Sequence, residues 1–198
     1  RAQAPDTPLE DDDPLGDVPR YPPFDLGIPV KSVERIVASQ RELIGRIYRT
    51  AGVPREEFAE RIEPVIRNLA RYVHLLPATA GSFHRGAGGL LRLSLEVGLH
   101  AMQTANASVF PTGGGVERRF FMQPKWSLAT LLAGVCSQLY RTINHMAVLD
   151  RHNNQWPALI APLYEWAVSR SADVYFIRWL DESNATGAQA SAAYLVNL

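Results

Sequence analysis

Residues 124–148 read PKWSLATLLAGVCSQLYRTINHMAV. Leu128, Leu131, Leu132, Val135, Cys136, Leu139, Ile143 and Met146 return every three or four positions. That spacing lays an apolar stripe along one face of a helix. It predicts a helix from about Pro124 towards Val148. Upstream, Gly113-Gly114-Gly115 marks a loop, and a third helix is expected from about Leu90 to Ala107. Residues 77–89, PATAGSFHRGAGG, read as another loop. Before it, Phe58, Ile62, Val65, Ile66, Leu69, Tyr72 and Val73 line a helix that opens at Pro54, and Pro64 inside it predicts a kink or a break. Val33, Ile36, Val37, Leu43, Ile44 and Ile47 predict a first helix from Ser32 to Thr50, capped by Ser32 and stopped by Gly52. Downstream, Pro157 to Val168 is a fifth helix and Val174 to Leu180 a short sixth. No alternating β pattern is sustained and no repeat is visible, so the expected class is all-α.

The 198 residues suit one domain with a tail. Residues 1–20 carry Asp6, Glu10, Asp11, Asp12, Asp13 and Asp17 against Arg1 and Arg20, a net of −4, and four prolines interrupt them. They read as a disordered acidic tail, either a solvated linker or a strip that shields a basic groove. The whole chain is neutral, which leaves +4 on the rest. The helical domain is expected over 21–181, with 182–198 a linker or appended segment. Tyr21-Pro22-Pro23-Phe24 reads as an extended arm packed on the body. Cys136, the single cysteine, reads as a buried thiol in a reducing compartment. No apolar run reaches the roughly 18 residues of a membrane helix, and the acidic start gives no signal peptide. A chain starting at Arg1 reads as a fragment or a processed product.

The stretch His84-Arg85-Gly86-Ala87-Gly88-Gly89 precedes a helix. Amides at a helix N-terminus can hold an anion, with Arg85 adding charge. Close helix packing through Gly88 and Gly89 is the plainer reading. No Gly-Lys-Ser/Thr follows, so this is not a nucleotide-binding P-loop. His145, Asp150 and His152 lie close in sequence, but a metal needs ligands that converge in space. His74 ends a helix, whose negative pole favours a cation. His100 faces the helix surface. Glu96 reads as a buried partner for Arg92 or a distant arginine. Arg118, Arg119, Phe120, Phe121, Lys125 and Trp126 form a basic, aromatic cluster that could stack bases and neutralise phosphates, or form a half-buried loop.

Several segments together resemble a known family. They are Tyr21-Pro22-Pro23-Phe24, Val73-His74-Leu75-Leu76-Pro77-Ala78, His84-Arg85-Gly86-Ala87-Gly88-Gly89-Leu90, Ser94-Leu95-Glu96-Val97, Pro124-Lys125-Trp126-Ser127-Leu128-Ala129, Leu163-Tyr164-Glu165-Trp166-Ala167 and Tyr175-Phe176-Ile177-Arg178-Trp179. In this order they resemble the N-terminal domain of TraI-like, MOBH-type conjugative relaxases. The resemblance spans about residues 20–181. It implies a mostly helical HD-type phosphohydrolase fold in which histidines and an aspartate hold metal that activates water against a phosphodiester.

The sequence departs from that pattern at nearly every ligand. Ser82 and Phe83 replace histidines, and only His84 survives. Leu93 stands at the next histidine position, and Ser137-Gln138 at the His-Asp pair. The resemblance therefore implies a degenerate HD-like helical bundle without a resident metal. Its role in a bacterial cytoplasm would be accessory, binding DNA or conjugative-transfer proteins without membrane insertion. The candidate anion and DNA contacts are Arg85, Gly86, Gly88, Arg92, Arg118, Arg119 and Lys125. An active phosphodiesterase is the second reading, with a divalent metal held by His84 together with His145, Asp150 or His152. A purely structural module, dimeric through the fourth helix, is the third.

Overall fold

Ser32 opens the first helix as expected. Its hydroxyl accepts the Arg35 amide at 3.4 Å, and α1 runs Val33–Ala38. In the computed structural model, which describes residues 13–108 and 115–180, the single helix expected over 32–50 is two. The Ser39 hydroxyl donates to the Ile36 carbonyl at 2.7 Å. This local bond competes with the helical ladder where α1 ends. The next helix, α2 (Arg41–Ala51), ends on Gly52 at φ 62°, a left-handed cap that suits glycine. Pro54 caps α3 (Arg55–Arg61), and Pro64 lies in the first turn of α4 (Glu63–Val73). Pro64 therefore makes a break. In a first turn its missing N–H leaves no helical bond unmade.

The two longest helices, α5 (Gly89–Ala107) and α6 (Val116–Ser137), pack along each other. They touch at two glycines. A Cβ on Gly134 would stand 2.8 Å from the Gly98 Cα and 3.0 Å from the Val97 carbonyl oxygen. Only a residue without a side chain permits that approach. The start of α6 precedes the predicted Pro124, so the backbone from Arg118 to Gln123 is helical rather than looped. Of the expected glycine loop, Gly115 is the N-cap of α6, and Gly113 and Gly114 lie outside the described residues.

The all-α expectation is corrected by a small sheet. The stripe that begins in α6 continues through α7 (Leu139–Asn144) and then becomes a strand. Three strands, β1 (Ile28–Pro29), β2 (Met146–Leu149) and β3 (Val174–Trp179), pair in the order β1-β3-β2. Both pairings are antiparallel, with Ile28 opposite Tyr175 and Val148 opposite Ile177. The expected sixth helix is thus the central strand. Val174, Tyr175, Phe176, Ile177 and Trp179 are β-branched or aromatic, residues that fit a pleated strand between two partners. Met146–Leu149 is a short apolar run that periodicity cannot assign by itself. The fifth helix is shorter than expected: α8 spans Leu163–Ser169 behind Pro162, and residues 157–162 are not helical.

Helices and sheet share one core, with Ile36, Ile47, Leu69, Leu90, Leu95 and Leu99 fully buried. His74, at the end of α4, joins the two layers and is itself fully buried. Its Nε2 lies 3.0 Å from the Lys31 carbonyl, and its Nδ1 lies 3.0 Å from the Tyr175 hydroxyl. The Lys31 amide also faces Nε2, at 3.2 Å, so the ring donates to the Lys31 carbonyl with its proton on Nε2 and accepts from the Lys31 amide with its proton on Nδ1. The Tyr175 oxygen in turn accepts the Leu75 amide at 3.2 Å. Burial pushes His74 down to about 4, so the cation expected at this helix end is replaced by a neutral ring.

The described part of the acidic segment is packed. Val18 is 6% exposed, within the core cluster, and Asp17 pairs with Lys31 and Arg35. Asp6, Glu10, Asp11 and Asp12 lie outside the described residues, as do residues 181–198.

Candidate functional site

Where the acidic segment meets the glycine-rich loop, a cleft of about 770 Å³ opens. Asp13, Leu15, Val18, Arg20 and Tyr21 form one wall, and residues 81–89 with Arg92 form another. Ser39 and Gln40, at the break between α1 and α2, also line it. The helix break therefore helps shape the site.

The loop holds its form through its own backbone. The Thr79 hydroxyl donates to the Phe83 carbonyl at 2.8 Å, and the Ala78 amide donates to the His84 carbonyl at 2.9 Å. The amides of Ala87, Gly88, Gly89 and Leu90 donate to the carbonyls of Arg20, Leu75, Gly86 and Leu76. Protein oxygens thus occupy these four amides at the start of α5. The Gly88 amide is therefore held by the Leu75 carbonyl. The glycines serve close approach. A Cβ on Gly86 would stand 2.5 Å from the Arg20 carbonyl oxygen, and one on Gly89 would collide with the His84 carbonyl. Gly88 sits at φ 75°. Gly89→Ala is expected to displace the loop and lower the melting temperature by several degrees, read by circular dichroism, since overpacking costs about 1–3 kcal/mol.

The sequence candidates Ser82, Phe83, His84, Arg85, Gly86, Gly88 and Arg92 all line the cleft. His84 Nε2 lies 3.4 Å from Glu96 Oε2, and Arg92 Nε donates to Glu96 Oε1 at 2.9 Å. Glu96 is thus the partner of Arg92, though it is half-buried rather than enclosed. The Arg85 guanidinium lies 5.9 Å from the centre of the Tyr21 ring. Phe83 is 90% exposed. The other basic candidates lie elsewhere. Lys125 caps the Phe121 ring at 3.8 Å and lines a second cavity of about 450 Å³ with Met102 and Leu128. Arg118 is exposed in the first turn of α6, and the side chain of Arg119 lies outside the described residues.

The positions expected to be degenerate carry no metal-binding set. Leu93 is partly buried against the core. The Ser137 hydroxyl donates to the Gly134 carbonyl at 2.8 Å, and the Gln138 amide donates to Ser137 Oγ at 3.3 Å. Among the described residues no three His, Cys, Asp or Glu side chains gather closely enough to hold an ion. The rearranged site suggested for His84, His145, Asp150 and His152 is therefore not assembled. The Asp150 carboxylate accepts the amides of His152 and Asn154 at 2.8 and 2.9 Å, closing its own turn. Cys136 is half-buried, and burial pushes its thiol up. His100 is exposed beside Gln103, as expected.

Sequence reasoning missed Arg20, Ser39 and Gln40 as cleft residues. Their signal is long-range: nothing in the local spacing joins the tail to the loop more than sixty positions later. Among the described residues no helix is long and apolar enough to cross a membrane.

The family model TraI_2, described as “Putative helicase”, matches residues 27–198, and the chain belongs to that family. No curated protein matches the chain.

Proposed function

We propose that this chain is a degenerate HD-type domain of the MOBH relaxase kind. It serves conjugative transfer in the bacterial cytoplasm as a DNA-binding or partner-binding accessory without hydrolase activity. The observation that carries this reading is the donor set. The TraI-like resemblance places metal ligands at Ser82, Phe83, His84, Leu93, Ser137 and Gln138. Of these only His84 has an imidazole, and its Nε2 faces Glu96. A catalytic metal needs about three protein ligands, and leucine and phenylalanine supply no donor. The residues present do not fit the metal, so no hydrolytic step is derived through one. What remains is a cleft with Arg20, Arg85 and Arg92 beside exposed aromatic rings, a combination suited to phosphates and bases.

Two measurements test this. Plasma mass spectrometry of protein purified without chelator or affinity metal is expected to find far less than one transition-metal ion per chain. One or two tightly held ions would overturn the reading. Fluorescence anisotropy with a labelled oligonucleotide at low salt is expected to show binding that weakens as salt rises. Arg85→Gln with Arg92→Gln should weaken it about tenfold and flatten the salt slope by nearly two. An unchanged affinity would remove the cleft from the interface.

A further inference from the structure

We propose that Arg20, Lys31 and Arg35 form a phosphate-binding strip beside the cleft. The Asp13–Asp17 turn occupies that strip in cis, and the phosphodiester backbone of a nucleic acid displaces it. The proposal rests on the DNA reading above and adds both a surface and a control over it.

Each basic group of the strip already holds an oxygen acceptor from the acidic segment. Asp13 pairs with Arg20. One oxygen of Asp17 lies 2.6 Å from Lys31 Nζ, and the other lies 2.7 Å from an Arg35 terminal nitrogen. Arg35 Nε also donates to the Pro14 carbonyl at 2.9 Å. The guanidinium of Arg35 thus meets two oxygens on one side, the arrangement that phosphate oxygens also satisfy. The carboxylates stand where phosphates would stand.

The turn is built to stay near and still let go. Backbone bonds from Gly16 to Asp13 and from Val18 to Leu15, both 2.9 Å, give it shape, and Val18 anchors it in the core. Its charged groups face water. The Asp17 side chain is 52% exposed and that of Arg20 is 72% exposed, whereas the Lys31 stem is mostly covered, with 18% exposed. Exposed pairs of this kind are weak and screened by salt, so a polyanion making several contacts at once can replace them. Of the cleft arginines, Arg20 and Arg92 are paired with carboxylates, and among the described residues Arg85 forms no ion pair. Removing the turn returns to the site the positive charge that binding needs.

The test uses the full chain and a fluorescent oligothymidylate. Asp13→Asn with Asp17→Asn should tighten binding about tenfold at low salt, a gain that fades as salt rises. Glu56→Gln with Glu60→Gln, two exposed acids on α3, makes the same change in net charge and should gain much less. In the Asp13→Asn/Asp17→Asn background, Lys31→Gln with Arg35→Gln should reverse the gain. In the unaltered chain, added oligothymidylate should speed hydrogen exchange at the Gly16 and Val18 amides. Equal gains from the two acid-removing pairs would overturn the strip. So would unchanged exchange at Gly16 and Val18 when the oligonucleotide is bound. Binding by none of these proteins would remove the DNA reading and the strip with it, whereas equal binding by the unaltered chain and its Asp13→Asn/Asp17→Asn form would remove the strip alone.

Discussion

Gly134→Val is expected to lower the unfolding free energy by about 3 kcal/mol or more, a loss large enough to unfold much of the protein at modest urea. The first atoms a Cβ at this position meets are the Gly98 Cα at 2.8 Å, the Ala101 Cβ at 3.0 Å and the Val97 carbonyl oxygen at 3.0 Å. Two of the three are backbone, which cannot rotate away. The helices α5 and α6 must separate, and the contacts of Leu131 and Val135, both buried, loosen together. Gly45→Ala is the control. It lies inside α2, and the nearest neighbour of its Cβ would be the flexible end of Arg49 at 3.7 Å. Alanine there should raise stability by about 0.5–1 kcal/mol through helix propensity alone. Urea titration followed by tryptophan fluorescence reads both. A Gly134→Val midpoint equal to that of the unaltered chain would mean that α5 and α6 do not approach at these glycines.

The second large effect is a dependence on acid. His74 has an ordinary value of 6.5 and is held near 4 by burial. Between those values the unfolded chain takes up a proton and the folded chain does not. Stability from this group is therefore complete above about pH 6.5, falls as the pH drops, and is lost by about pH 4, a total of roughly 3 kcal/mol. The ring faces Lys31 and Tyr175 by hydrogen bonds and Tyr164 by stacking, with 6.0 Å between ring centres. None of these is a carboxylate that could stabilise a protonated ring. Urea midpoints measured from neutral pH down to about pH 4.5 should fall steadily, and His74→Gln should start lower and flatten that part of the curve. A steep fall retained in His74→Gln would assign it to other groups. Tyr175→Phe should cost about 2 kcal/mol at neutral pH, because the Leu75 amide and His74 Nδ1 both lose their partner.

The helical part of this fold is legible where single residues act locally. Ser32, Gly52, Pro54 and Pro64 each fix a boundary through their own backbone chemistry, and each boundary stands where the residue puts it, with Pro64 choosing a break. The sheet is not legible in this way. Met146–Leu149 and Val174–Trp179 are apolar runs whose shape is decided by pairing with each other, and β1 is only two residues long. The candidate site divides similarly. The glycine-rich loop and the link between Arg92 and Glu96 lie within short spacing, so the sequence exposes them. The placement of Asp17 on Lys31 and Arg35, and of Tyr175 on His74, joins residues that no periodicity connects. The glycines at 86, 88 and 89 mark special backbone, where close approach at Gly86 and Gly89 and a positive φ at Gly88 require them.

The order of the sheet also governs when the molecule can be finished. The last strand among the described residues, β3, lies in the middle, between a strand near the beginning and one made shortly before it. As synthesis proceeds, α1 to α6 can collapse on local contacts early. Ile28 must wait for Tyr175, a partner separated from it by most of the chain. Until then His74 and Leu75 lack the Tyr175 hydroxyl that ties them. Closure of so distant a pairing is slow compared with helix formation. The end of α4 is therefore among the last parts to become native, and a chain cut short before Val174 would carry its helices without the hydroxyl that fixes His74 and Leu75.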